Sequence, residues 1–237
     1  MKIAVINRSA NVTDSDARDM TDAVHFQITN HVAPAWNMRT PQFKFVPTSR
    51  EDQLGSGWWK VYLLDDADTA GALGYHDEDE HGVPIGKVFT KLSLQYGSVS
   101  SVLSHEVIEL YLDPPCNRFA IDFNTGVLYA VEGGDPVEND SYDVGGVEMS
   151  NFITPAWFDL TPQSDDHFDW LGNLTEPFTM TKGGYLIYMQ GGQEEQKFQL
   201  KVGSEVPAWK KELKWHSAAR TVRKLNELKR ISGSVIS

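Results

Sequence analysis

The tightest constraint on this 237-residue chain is the stretch from Ser98 to Pro115. Neither Pro114 nor Pro115 can donate to a helix, so a helix entering this stretch stops before them. Val102, Leu103, Val107, Leu110 and Tyr111 recur with the spacing of a core-facing helical stripe, which predicts a helix over 98–112. His105, Glu109 and Asp113 fall four residues apart and therefore stack one turn above another as a polar column. A histidine nitrogen and a carboxylate one turn apart can share a divalent cation at ~2.0–2.2 Å each. Glu106, beside His105, projects to the side of such an ion, where a general base would take a proton from water. Asp113, just ahead of Pro114, reads as a helix-end residue.

Other elements follow from local pattern. Lys2–Asn7 reads as a short buried strand, and Asp14 as the cap of a helix with Ala17, Met20, Val24 and Ile28 on its inner face, ended by Pro34. Residues 43–46 and 58–64 read as strands. Residues 65–86 read as one acidic, glycine-rich loop without apolar period, long enough to suggest a function. His76 and His81 fall in that loop and are left out of the ligand set, although His76 could reach an ion. Residues 87–90, 127–131 and 144–153 read as further strands, and residues 185–189 and 198–202 as a hairpin. The tripeptide Pro-Ala-Trp occurs three times at unequal intervals, which is no structural repeat. The sum is an α+β chain: a domain over 1–204 and an appended C-terminal helix over 205–237.

A metal on His105 and Glu109 needs a third protein ligand. Glu132-Gly-Gly-Asp135, directly after the strand at 127–131, is the best supply, with either Glu132 or Asp135 as the ligand and the glycines letting backbone approach the helix. Tyr142 is a candidate to stabilise an oxyanion. Cys116 reads as a buried small residue and, as the chain's one cysteine, builds neither a disulfide nor a thiolate metal site. The second metal-facing position is Glu109 where an imidazole is the commoner choice. This adds negative charge and shifts preference from zinc toward manganese or calcium.

Charge narrows the partners. The net charge is −12, made of −18 over residues 1–200 (12 Lys+Arg, 30 Asp+Glu) and +6 over 201–237 (nine and three). An acidic body argues against broad phosphate-backbone binding and suits a cation site. No apolar run is long enough for a signal peptide or a membrane span, so a soluble product of the cytoplasm is expected.

Several separated motifs occur together: Ala72-Leu-Gly-Tyr-His76, Gly82-Val-Pro-Ile-Gly-Lys-Val-Phe89, Ser104-His-Glu-Val-Ile-Glu109 with Leu112-Asp-Pro114, Asp135-Pro-Val-Glu138 and Ser150 through Phe158. Over roughly residues 58–160 this set resembles a zincin-like family with a His-Glu-x-x-Glu helix, found in tailed bacteriophages and bacteria. The resemblance implies a zincin-like mixed sheet around a central metal-binding helix. In the related gluzincins a glutamate downstream of the helix is the third ligand, often with a nearby aspartate orienting a histidine ligand, which fits Glu132 as ligand with Asp135 either that partner or the ligand itself.

Two functions are therefore expected as alternatives. One is a zinc-dependent, peptidase-like hydrolase, with His105, Glu109 and Glu132 or Asp135 holding the metal and Glu106 activating water. The other is a structural virion component of a tailed phage, in its tail, baseplate or neck, with a structural or vestigial metal site. In that second case the basic helix over 205–237, with Lys210, Lys211, Lys214, Arg220, Arg223 and Lys224, would dock on other virion proteins or on a second copy.

Overall fold

The computed structural model of the protein describes residues 1–69, 71–191 and 193–198. The predicted C-terminal basic helix and the boundary at 204 lie outside the described residues, as does most of the strand expected at 198–202.

The chain opens with β1 (Lys2–Asn7), whose residues from Ile3 to Ile6 are all fully buried. A strand apolar on both sides belongs inside a parallel sheet covered on both faces. It pairs in parallel with β2 (Gln42–Pro47) on one side and β3 (Trp59–Leu64) on the other. β5 (Pro84–Phe89) adds in parallel to β3, and β4 (Gly74–Glu78) closes the edge antiparallel to β5. The order is thus β2-β1-β3-β5-β4.

The helix that carries the chain from β1 to β2 is α1 (Asp14–Gln27). Its cap is Thr13, whose hydroxyl accepts from the Asp16 amide, and not Asp14, which is the first helical residue. The helical path continues past Gln27 through a π turn over Ile28–Val32 into α2 (Ala33–Ala35), which carries Pro34 in its first turn. The predicted end of the helix near Pro34 is right in place, with a change of winding before it.

After β5 come α3 (Thr90–Tyr96) and α4 (Val99–Leu112), the latter capped by Ser98. Although it carries the polar column, α4 is buried nearly all round, as befits a central helix. Leu103, Val107, Ile108, Leu110 and Tyr111 are fully buried and join Ile3, Val5, Val61, Leu63, Val88 and the inner face of α1 in one core. Each fully buried large aliphatic side chain contributes ~1.5–3 kcal/mol of transfer free energy. The opposite face of the sheet carries a smaller apolar layer of Ala4, Ile6 and Val46 beneath Trp58 and Tyr62.

The rest of the described chain forms two smaller sheets. β6 (Phe119–Asp122), β7 (Val127–Ala130), β10 (Tyr185–Gln190) and β11 (Gln193–Phe198) form an antiparallel sheet in the order β11-β10-β7-β6. β8 (Ser141–Val144) and β9 (Val147–Ser150) form a hairpin around Gly145-Gly146 that lies against α4 and α1. Trp157, Phe168, Leu174 and Leu186 make a second core, tied to the first by Trp36, whose indole nitrogen donates to the Ile153 carbonyl at 2.9 Å. The architecture is α+β with a mixed-orientation sheet, as expected. Among the described residues no helix is long and apolar enough to cross a membrane.

Candidate metal centre

Three segments meet over the middle of α4. The helix supplies His105, Glu106 and Glu109. Strand β4 supplies His76, and the loop leaving β7 supplies Glu132 and Asp135. All but His105 are buried, with relative exposure of 3% for His76, 6% for Glu106, 4% for Glu109, 5% for Glu132 and 3% for Asp135.

The loop can lie on the helix because it has no side chain where it touches. A Cβ on Gly133 would stand 2.6 Å from Leu112 Cδ1, and one on Gly134 would stand 2.6 Å from His105 Cε1. The Gly134 backbone has an ordinary negative φ of −97°, so the missing Cβ, and not conformational freedom, is what the site needs there. In that position the Gly134 amide donates to Glu109 Oε1 at 3.3 Å.

The ligand geometry is compact. His105 Nε2 lies 3.2 Å from Glu109 Oε1 and 3.3 Å from Asp135 Oδ1. These three residues offer donor atoms all within 4.8 Å of one another, a span that one cation can bridge. Of the two candidates for third ligand, the structure brings Asp135 into this set. Glu132 instead faces His76, with its Oε2 3.9 Å from His76 Nε2.

His76 is the residue the sequence reading left aside. The stretch 65–86 is not a single loop, because β4 and β5 form a hairpin within it. The signal was present in Asp79-Glu-His-Gly82: Asp79 Oδ1 accepts from the amides of His81 and Val83, and Gly82 takes a φ of 75°, both familiar turn chemistry. Placed on β4, His76 points at α4, its Nδ1 3.5 Å from Glu109 Oε2 and 4.0 Å from Glu106 Oε2. Cys116, buried as expected, holds the strand from below through its thiol and the His76 carbonyl at 3.6 Å. His81 is exposed and takes no part.

Two other expectations fall differently. Asp113 is the C-cap of α4, its Oδ2 accepting from the Arg118 amide at 2.7 Å, which is the helix-end role. Tyr142 does not fit the oxyanion role. Its hydroxyl is engaged by Gln27 Nε2 at 3.1 Å and His31 Nδ1 at 2.8 Å, and it does not line the cleft described next. Tyr185, at the start of β10, holds the position foreseen for Tyr142: it hydrogen-bonds Asp135 and lines that cleft.

A cleft of about 200 Å³ opens over the helix. His105, Glu106 and Tyr185 face it, together with Gly74, Ser101 and Glu138. Comparison with family models, with curated protein sequences and with solved structures finds no match. The chemistry therefore rests on the geometry of these groups.

Their electrostatics are those of four acids crowded around two histidines. Among the described residues no lysine or arginine pairs with Glu106, Glu109, Glu132 or Asp135. Burial raises Glu106 to about 8 and Asp135 to about 7, each pushed further by the Glu109 charge. Burial and the same charge raise Glu132 well above the carboxylate range. Burial opposes ionisation of Glu109 too, yet His105 and His76 together hold it below its ordinary value. For both histidines burial lowers the pKa, but Cys116, Glu109 and Glu132 at His76, and Glu109, Asp135 and Glu106 at His105, outweigh it and raise the two well above normal. Glu132 Oε2 and Asp135 Oδ1 are buried without a hydrogen-bond partner. Leaving such an oxygen bare costs ~1–3 kcal/mol or more, so a site like this is at ease only when a cation or extra protons fill it.

Proposed function

We propose that the protein is a zincin-like, divalent-metal-dependent hydrolase, with a peptide-type carbonyl as substrate. The observation that carries this reading is the convergence of His105 Nε2, Glu109 Oε1 and Asp135 Oδ1, with no lysine or arginine paired to the two acids among the described residues, where His105 lines a cleft. The mixed-orientation sheet with the His-Glu-x-x-Glu helix at its centre supports the zincin-like assignment.

The donors present fit such an ion: one imidazole and two carboxylates suit zinc, and the excess of oxygen also suits manganese. A divalent ion held there would supply the positive charge that acidifies water and polarises a scissile carbonyl. Glu106, on the cleft wall, is placed to accept the proton that water gives up, and nearby positive charge favours its ionised form over the neutral one that burial alone imposes. Tyr185 is kept protonated by burial and by Asp135, Glu138 and Glu109, so its phenol can donate to an oxyanion forming in the cleft. Gly134 and Asp135 fix the His105 ring against turning away.

The competing reading is a metal that only stabilises a virion component. The near-complete burial of Glu132 and Asp135 favours it, since a closed shell is typical of structural sites. Glu106→Gln separates the two. The hydrolase reading expects hydrolysis of a peptide library to fall by at least about a hundredfold while the ion on His105, Glu109 and Asp135 stays bound. A variant that cleaves as well as the wild type, or a loaded wild type that cleaves nothing in the library, leaves the structural reading in its place.

A further inference from the structure

The three-residue set used above accounts for only half of the cluster. A second set, His76, Glu106 and Glu109, also presents donor atoms within 4.8 Å of one another. The two sets share Glu109 and use opposite ends of it. Oε1 faces His105 Nε2 at 3.2 Å, and Oε2 faces His76 Nδ1 at 3.5 Å. A carboxylate turned with one oxygen toward each of two imidazoles has the form of a bridging ligand.

Charge gives an independent reason. Glu106, Glu109, Glu132 and Asp135 can carry four negative charges in a buried volume, and among the described residues no lysine or arginine pairs with them. A single divalent ion neutralises half of that. The rest would have to be met by protons or by a second cation, because uncompensated buried carboxylates are costly. The bare Glu132 Oε2, 95% buried by its 5% exposure, is aimed at the far nitrogen of His76. That is where an acid sits to orient a histidine whose other nitrogen binds metal.

We propose that the centre holds two divalent cations bridged by the Glu109 carboxylate, one on His105, Glu109 and Asp135 and the other on His76, Glu109 and Glu106. Glu132 is then a positioning residue for the His76 ring. The proposal rests on the reading of His105, Glu109 and Asp135 as a metal site and adds a second position to it, at which Glu106 serves as a ligand in place of the proton acceptor it is with one ion bound. Carboxylate-bridged pairs of this kind stand about 3.5–4 Å apart and clamp an attacking and a leaving oxygen together.

The test is metal stoichiometry and coupling on the full chain, stripped with chelator and titrated with Zn²⁺ or Mn²⁺ alone. The wild type should take up two ions per chain, and His76→Ala and His105→Ala one each. With Mn²⁺, the wild type should show the paramagnetic resonance spectrum of an exchange-coupled pair, and His76→Ala that of an isolated ion. A wild type that binds one ion, with His76→Ala also binding one at unchanged affinity, overturns the second position while the single site of the hydrolase reading stands. Two ions that are not coupled overturn the Glu109 bridge. A wild type that binds none overturns both readings. Because the wild-type count and spectrum decide the matter alone, misfolding of either variant does not protect the proposal.

Discussion

Two buried acid groups in this protein are treated in opposite ways. Asp169 is fully buried, and both its oxygens are satisfied: Asn151 Nδ2 donates to Oδ2 at 2.7 Å and the Leu174 amide to Oδ1 at 2.7 Å. Glu132 and Asp135 are buried almost as deeply, yet each keeps an oxygen with no hydrogen-bond partner. The contrast extends along α4 itself. Ser104, one residue before His105, is satisfied by Gln27 Oε1 at 2.7 Å and the Ser150 amide at 3.1 Å. Asp169 and Ser104, which join elements, are thus completed, whereas Glu132 and Asp135 beside His105 and Glu109 are not; Thr29 Oγ1, Asp113 Oδ1 and Thr181 Oγ1 are the other described side-chain oxygens buried without a hydrogen bond. Two incompletely bonded carboxylates in one cluster of six histidine, glutamate and aspartate side chains suit a site completed by a cation.

The largest effect that would sharpen this contrast is on pH dependence. Glu106, Asp135, Glu132, His76 and His105 all have folded pKa values above their unfolded ones. Stability from each is fully present below its unfolded value and is lost as pH rises through its folded value. Glu109 works in the opposite sense, but its change is complete in the acid range. The metal-free protein should therefore lose roughly 10 °C of melting temperature between about pH 5 and pH 8. With Zn²⁺ present the slope should reverse, because metal replaces protons and binds more tightly as pH rises. Equal slopes with and without Zn²⁺ would remove the contrast.

Next in size is Gly134→Ala. The added carbon would overlap the His105 ring, so the loop or the histidine must shift. We expect a loss of ~1–3 kcal/mol in chemical denaturation and at least about tenfold weaker metal binding. Unchanged metal affinity in a folded variant would mean the loop does not set the His105 ring.

The smallest pair of effects has opposite signs. Asn151→Ala strips a partner from Asp169 and should lower the melting temperature by about 2–8 °C with metal content untouched. Glu132→Gln removes an acid that the metal-free protein cannot satisfy and should raise the metal-free melting temperature by about 2–4 °C. If both variants fall by the same amount in the absence of metal, Glu132 is an ordinary structural acid.

Much of this was legible before any coordinates. The α4 boundaries follow from Ser98 and the Pro114-Pro115 stop, and β1 and β3 from dense apolar runs, because each is decided by forces within a few residues. The pairing of His105 with Glu109 follows from helical spacing alone. His76 was left out of the ligand set, because β4 is an edge strand whose polar residues hide its alternation and whose place beside α4 depends on packing against a helix far along the chain. The exchange of Tyr142 for Tyr185 has the same origin. Sequence proximity favours Tyr142, whereas the pairing of β10 with β7 carries Tyr185 to the cleft. That Asp135 and not Glu132 lies beside His105 turns on the path of the loop, which Gly133 and Gly134 let press on α4.

The central claim is that these acids hold a cation, and anomalous X-ray diffraction at the zinc edge from crystals grown with Zn²⁺ tests it most directly. The account predicts an anomalous peak within about 2.3 Å of donor atoms from His105, Glu109 and Asp135. An ordered His105–Glu109–Asp135 cluster with no peak, its acids paired only with protons and water, would contradict it.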